Sequence, residues 1–139
     1  MERILAIDYG DSKVGLAVND ELNITAIPII TVFYKGDREY LFSELEKYIK
    51  QYNISKIVVG MPKNMNGTKG FRAEETEKFI EEILHKFEIV VDTIDERLTT
   101  RFSNVIMNEI NVKKKKKKTI EDTMCAVNIL QIYMDKLKK

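Results

Sequence analysis

Four acidic side chains stand where acids are costly. Asp8 closes the apolar run Ile4-Leu5-Ala6-Ile7, and Asp95 with Glu96 closes a second run, Ile89 to Ile94. A carboxylate at such a position is near the core and expensive to keep charged without a partner. Asp122 shares one face of a helical pattern with Ala126, Ile129 and Tyr133, by the i, i+4, i+7, i+11 rule, and so points along the buried face. Carboxylates that converge repel one another and raise each other's pKa unless a cation compensates. A hard divalent cation prefers oxygen ligands, and Mg²⁺ keeps several waters and shares its shell with substrate phosphates. Two such ions, roughly 3.5–4 Å apart, can clamp the attacking water and the leaving oxygen of a phosphodiester. No side-chain nucleophile is then needed, which suits a chain with one cysteine, one histidine and no evident Ser-His-Asp or Cys-His arrangement. The bland alternatives are an Asp8 that begins a turn and is satisfied by its own backbone, and an Asp122 paired with Thr119 in a capping box.

The elements that must position these residues follow from hydrophobic periodicity. Ile4 to Val18 reads as a hairpin, two buried strands about a turn that contains Gly10. Asn19 to Asn23 reads as a turn, and Ile24 to Val32 as a third strand that Pro28 confines to an edge or bulge. The period then changes. Leu41, Leu45, Tyr48 and Tyr52 share one helical face, with Asp37 as N-cap of a helix from about residue 38 to 52. Ile54 to Val59 is a buried strand, and 60–70 is a long loop with three glycines and a proline, of the kind that often carries function. Thr76, Ile80, Ile83 and Phe87 mark a second helix, on which His85 reads as a surface residue. After the strand 89–94, Thr99 or Thr100 can cap a helix from about 101 to 111. Lys113 to Lys118, six consecutive lysines, reads as an extended solvated loop because like charges repel. A last helix follows from Thr119 to about 138.

Three strands joined by short turns, then strands separated by helices, predict a five-stranded mixed α/β sheet: an antiparallel meander with parallel additions, flanked by helices. Ligands of such sheets bind beyond the carboxyl ends of the strands. Asp8 and Asp95/Glu96 sit at those ends, and Asp122, at the start of a covering helix, can join them.

The totals bound the answer. At 139 residues, 44% hydrophobic and 32% charged, the chain fits one domain, 1–139, with a real core. The single cysteine, Cys125, excludes a disulfide framework and a cysteine-based zinc site, and suits a reducing cytoplasm. The chain enters its first strand at once, and no apolar stretch is long enough for a signal peptide or a membrane span. The net charge of +1 hides an asymmetry: residues 97–139 hold 11 Lys+Arg against 4 Asp+Glu, whereas residues 1–96 hold 12 against 18. A basic C-terminal third is compatible with an anionic partner such as nucleic acid. The lysine run in particular suits phosphate contact without sequence specificity.

Four motifs in order carry a resemblance that spans almost the whole chain. Ile7-Asp8-Tyr9-Gly10 with Gly15-Leu16-Ala17-Val18 resembles the opening motif of the YqgF (RuvX) family, and the stretch from Val58 to Gly67 resembles its second, a "VVGLP-x-NMDG" loop. Asp95-Glu96-Arg97-Leu98-Thr99-Thr100 matches its "DERLTT" motif, and Asp122, Ala126, Ile129-Leu130-Gln131 and Asp135 resemble its last. The resemblance implies a ribonuclease H-like fold, kinship with Holliday-junction resolvases, and action as a nuclease on the 5′ end of pre-16S ribosomal RNA. It carries the family carboxylates over to Asp8, Glu96 and Asp122 as catalytic and metal-holding residues, with Asp95 the second choice to Glu96. Mg²⁺ or Mn²⁺ is the implied cofactor, as two ions. The substrate-binding candidates are Lys13, Asn64, Asn66, Arg97, Lys113, Lys114 and Lys115. The implied partners are pre-rRNA or branched DNA and ribosomal precursor particles, with the protein acting as monomer or homodimer. Departures are modest: Asn66 stands where the family usually has Asp, Asn19 where it has Ser, and the family's Arg-rich stretch is all Lys, which keeps charge but loses bidentate phosphate geometry.

Two other classes compete. A nucleic-acid- or ribosome-binding factor without cleavage would bind in a salt-sensitive but metal-indifferent way. An actin-like ATPase would use Asp8-Tyr9-Gly10 as a phosphate loop, but needs two such domains to enclose a nucleotide.

Overall fold

The structure is a computed structural model that describes residues 3–10, 12–22, 24–62, 70–95 and 114–137; at residue 71 and over 114–123 it describes the backbone alone. Five strands form one sheet in the order β3-β2-β1-β4-β5. They are β1 (Ile4–Tyr9), β2 (Lys13–Asn19), β3 (Ala26–Phe33), β4 (Lys56–Met61) and β5 (Val90–Asp95). β2 pairs antiparallel with β1 and with β3, whereas β4 pairs parallel with both β1 and β5. The mixed sheet expected from the sequence is therefore present, with its parallel half on one side of β1 and its meander on the other. β3 is an edge strand, as Pro28 required, and its register with β2 shifts between Leu16 and Ala17, beside Pro28.

Helices cover both faces: α1 (Arg38–Gln51) and α2 (Phe71–Phe87) on one, α3 (Lys114–Leu137) on the other. Asp37 caps α1 as its side chain accepts a hydrogen bond from the Tyr40 amide at 3.1 Å. Strand pleating sorts the core into two layers. Leu5, Ile7 and Tyr9 of β1 pack with Leu41, Phe42 and Leu45 of α1 and with Phe79 and Ile83 of α2. Ile4 and Ala6 face the other way, with Ala17, Val58 and Ile94, against Ala126, Ile129, Leu130, Tyr133 and Met134 of α3. The alanines at positions 6, 17 and 126 are fully buried, and their small side chains let the α3 backbone come close to the sheet.

Three expectations change. Lys114 to Lys118 are not a loop: α3 begins at Lys114. Lysine is a good helix former, and a helix already anchored by a packed apolar face extends at low cost into such residues. Thr119 is therefore inside the helix and not its cap. Asn19 is not in a turn; it ends β2, fully buried, and its side-chain oxygen accepts a hydrogen bond from the Ile4 amide at 2.8 Å. The helix expected over 101–111 lies outside the described residues. Among the described residues no helix is long and apolar enough to cross a membrane.

Candidate active site

β1, β4 and β5 run parallel, so Tyr9, Met61 and Asp95 end at the same edge of the sheet, and β2 starts there at Lys13. Asp8 is half-buried at this edge. It shares its pleat with Ile4 and Ala6 and therefore faces α3. Directly opposite in the ladder stands Gly15, and the position beside Asp8 on β4, one past the Val59 that pairs with Ile7, is Gly60. The carboxylate thus rises from a floor with no side chain on either neighbouring strand. Beyond Gly15 the row continues to the buried Thr31 of β3. Lys13 lies on the same face, two residues nearer the edge, and is half-buried.

Gly15 and Gly60 are the ladder neighbours of Asp8 on the two adjacent strands. A glycine inside a strand pattern marks a close approach of something to the backbone. Here both glycines flank the one acidic residue of β1, and the signal was in the sequence.

α3 packs on the face of the sheet that Asp8 shares with Ile4 and Ala6. Its C-terminal half reaches the opposite end of the sheet, where Gln131 accepts from the Ala26 amide at 3.2 Å and Tyr133 accepts from Lys56 Nζ at 2.9 Å. Lys56 pairs with Ile4, four residues before Asp8, or about 13 Å along the strand. Position 122 precedes Tyr133 by eleven residues, or about 16 Å along the helix. Position 122 therefore lies toward the end of α3 away from its contacts with Lys56 and Ala26.

Asp95 ends β5 one residue past Ile94. Ile94 packs under α3, and the Asp92 carboxylate accepts a hydrogen bond from Tyr133 at 3.0 Å. Asp95 has the opposite parity, shared with Val91, which packs against the α1/α2 layer. Among the described residues no three His, Cys, Asp or Glu side chains cluster as a metal site. Glu96, Asn64, Asn66, Arg97 and Lys113 lie outside the described residues, and the side chains of Lys114, Lys115 and Asp122 do too. His85 is exposed on α2, on the far side of the sheet from Asp8, in keeping with a surface role.

Comparison with known proteins covers nearly the whole chain. Residues 2–136 match the family model described as RuvX, Holliday junction resolvase. A protein of Ruminiclostridium cellulolyticum named "Putative pre-16S rRNA nuclease" is 44% identical over 135 residues, 97% of this chain and 95% of that one. A protein of the same name from Acetivibrio thermocellus is 42% identical over 134 residues, 96% of this chain and 95% of that one. Among solved structures, Thermus thermophilus RuvC with a Holliday junction substrate superposes with a TM-score of 0.61 at 10% identity, covering 99% of this chain and 96% of that one. The fowlpox virus resolvase with Holliday junction DNA gives 0.60 at 17% identity over 99% of both chains. At these identities the two structures speak for the fold.

Proposed function

The chain belongs to the RuvX family, and from that premise we propose that it is a metal-dependent endonuclease that processes the 5′ end of pre-16S rRNA. Asp8 carries the reading: a half-buried carboxylate at the carboxyl end of the central parallel strand, with glycine on both sides. That is room for a phosphate or a hydrated cation beside an anionic oxygen, and neither neighbouring strand puts an apolar side chain there.

The donor set suits a hard cation, being all carboxylate oxygen. Asp8, Glu96 and Asp122 would hold it, with Asp95 the poorer choice because its strand parity turns it to the other face of the sheet. Bound magnesium supplies an activated water and neutralises charge developing on the phosphate. The rest falls to the chain. The lysines at 113–115, with Lys13, Arg97, Asn64 and Asn66, hold the phosphate backbone and fix its register without reading its sequence. The substrate's scissile phosphate then rests over the Gly15–Gly60 floor, within reach of Asp8. In this reading the protein meets pre-rRNA in ribosomal precursor particles.

A second reading, cutting four-way DNA junctions, is favoured by the family model's description. It requires two coordinated cuts and hence a dimer.

Both are tested together by offering a pre-16S 5′-leader RNA and a four-way DNA junction to wild type and Asp8→Asn, each with Mg²⁺, with Mn²⁺ and with EDTA. Metal-dependent cleavage of the RNA, absent in the variant, is the expected result. Cleavage of the junction alone selects the second reading. No cleavage of either, with equal salt-dependent binding by both proteins, leaves a non-catalytic RNA-binding factor and overturns the proposal.

A further inference from the structure

The segment Asp8-Tyr9-Gly10 is gripped from the face of the sheet opposite the Asp8 carboxylate. Tyr9 is buried in the α1/α2 layer, where its ring stacks on Phe79 with centroids 4.1 Å apart. Its hydroxyl accepts a hydrogen bond from Arg38 Nη1 at 2.8 Å. Arg38 opens α1 and is held in turn by the Glu82 carboxylate of α2, which meets its Nε at 3.2 Å and its Nη2 as an ion pair. One residue on, the Gly10 carbonyl accepts a hydrogen bond from the buried Tyr34 hydroxyl. Tyr34 and Arg38 stand at the two ends of one short connection, β3 to α1, whose Gly36 takes a φ of +82°. The Asp37 amide closes that turn on the Tyr34 carbonyl at 2.9 Å.

Two polar contacts from one turn therefore fix the residue after Asp8 and the residue after that. Neither Tyr34 nor Arg38 lies on the α3 face. The fold needs no hydroxyl at Tyr34 for packing, since a phenylalanine ring would fill the same space. What the hydroxyl adds is a fixed position for the Gly10 peptide, and with it the direction in which β1 presents Asp8. Ligands of a metal act with full effect only when their backbone is held to a fraction of an ångström.

We propose that Tyr34 and Arg38 are positioning residues for the Asp8 carboxylate, setting cation affinity at the site from the far side of the sheet. The inference rests on the reading of Asp8 as a cation ligand given above. It is tested without substrate, by following Mn²⁺ binding through loss of the free-ion electron paramagnetic resonance signal. Wild type, Asp8→Asn, Tyr34→Phe, Arg38→Met and Arg38→Lys are titrated well below their melting temperatures. Residues that orient metal ligands typically contribute 10–100-fold in affinity; here about tenfold weaker Mn²⁺ binding is expected in Tyr34→Phe and in Arg38→Met. Arg38→Lys, which keeps one donor for Tyr9, should recover part of the loss. Where wild type cleaves RNA, KM at saturating metal should hold while the metal concentration for half-maximal rate rises.

A purely structural role would lower the melting temperature and leave Mn²⁺ affinity where it was. Wild-type binding that is lost in Asp8→Asn yet intact in Tyr34→Phe and Arg38→Met overturns this inference alone. Wild-type binding that is absent, or indifferent to Asp8→Asn, overturns the reading of Asp8 and this inference with it.

Discussion

The Ile4 amide donates to the side-chain oxygen of Asn19 at 2.8 Å, and Asn19 is fully buried. The two residues sit at the end of the sheet away from Asp8, where β1 begins and β2 ends. Asn19→Leu is isosteric enough to fold but leaves that amide without its partner in a dry place. An unsatisfied buried donor costs about 1–3 kcal/mol. For a chain of this size the melting temperature should fall by roughly 3–10 °C. Asn19→Ser retains an acceptor and should lose less. Thermal melts of the three proteins decide it, and equal melting temperatures would show that the Ile4 bond adds nothing.

Gly10 tolerates no side chain. A Cβ built there would lie 2.8 Å from the Lys13 carbonyl oxygen, which is backbone and cannot swing aside. Gly10→Ala must open the β1–β2 turn, at a cost of about 1–3 kcal/mol, as for other overpacked positions. Because the same peptide accepts the Tyr34 hydroxyl, the change should also weaken cation binding at Asp8. Gly36→Ala supplies the comparison: a Cβ there meets nothing within 4 Å, and the cost is the left-handed φ of +82°. It should destabilise without a clash, and calorimetry with a Mn²⁺ titration separates the two.

Much of the fold is legible in the sequence. The hairpin around Gly10, the edge position forced by Pro28 and the Asp37 cap all follow from local rules, because period-two alternation, a missing N–H and a capping oxygen act over a few residues. What is not legible depends on partners far away in the chain. Asn19 looks like a turn residue because its partner, Ile4, is fifteen positions distant. The lysine run looks like a loop because like-charge repulsion is local, whereas the packing of Ala126, Ile129 and Tyr133 that anchors α3 is not. At the candidate site, the pleat of β5 is not legible in the sequence, because the contacts of Asp92 and Ile94 with α3 that fix it join residues about forty positions apart.

Tyr133 should leave a signature in alkali. Burial raises the pKa of its phenol above the ordinary value near 10; the bond from Lys56 opposes the shift and Asp92 reinforces it. The folded state thus holds the proton more tightly than the unfolded chain. Its contribution is complete below about pH 10 and is lost as the pH rises through the folded-state value. Tyr133→Phe removes the titration along with the hydrogen bonds to Lys56 and Asp92. Near neutral pH the variant should melt lower, by the worth of those bonds, about 1–2 kcal/mol. Above pH 10 wild type should decline faster and the gap should narrow. Melting curves from pH 7 to 11 measure it, and a gap independent of pH would show that the phenol does not titrate with folding.

The start of α3 is the place to test how the chain holds a nucleic acid. Lys114 to Lys118 open it, and its first turn holds no acidic residue. Cations at a helix N-terminus oppose the macrodipole, a modest cost that an anionic ligand would offset. If Lys113, Lys114 and Lys115 each neutralise a phosphate of single-stranded leader RNA, replacing all three by Gln should lower the slope of log K against log salt by about 0.7 for each phosphate no longer neutralised. Fluorescence anisotropy of a labelled leader RNA in EDTA, from 50 to 200 mM salt by the range over which such slopes are usually read, gives the slope directly. Asp8→Asn should leave it unchanged, since a carboxylate releases no counterion from RNA. An unchanged slope in the triple variant would place the phosphate-binding groups elsewhere, with Lys13 the next to test. A slope altered by Asp8→Asn would mean that the acidic site and the basic run are not separate determinants of binding.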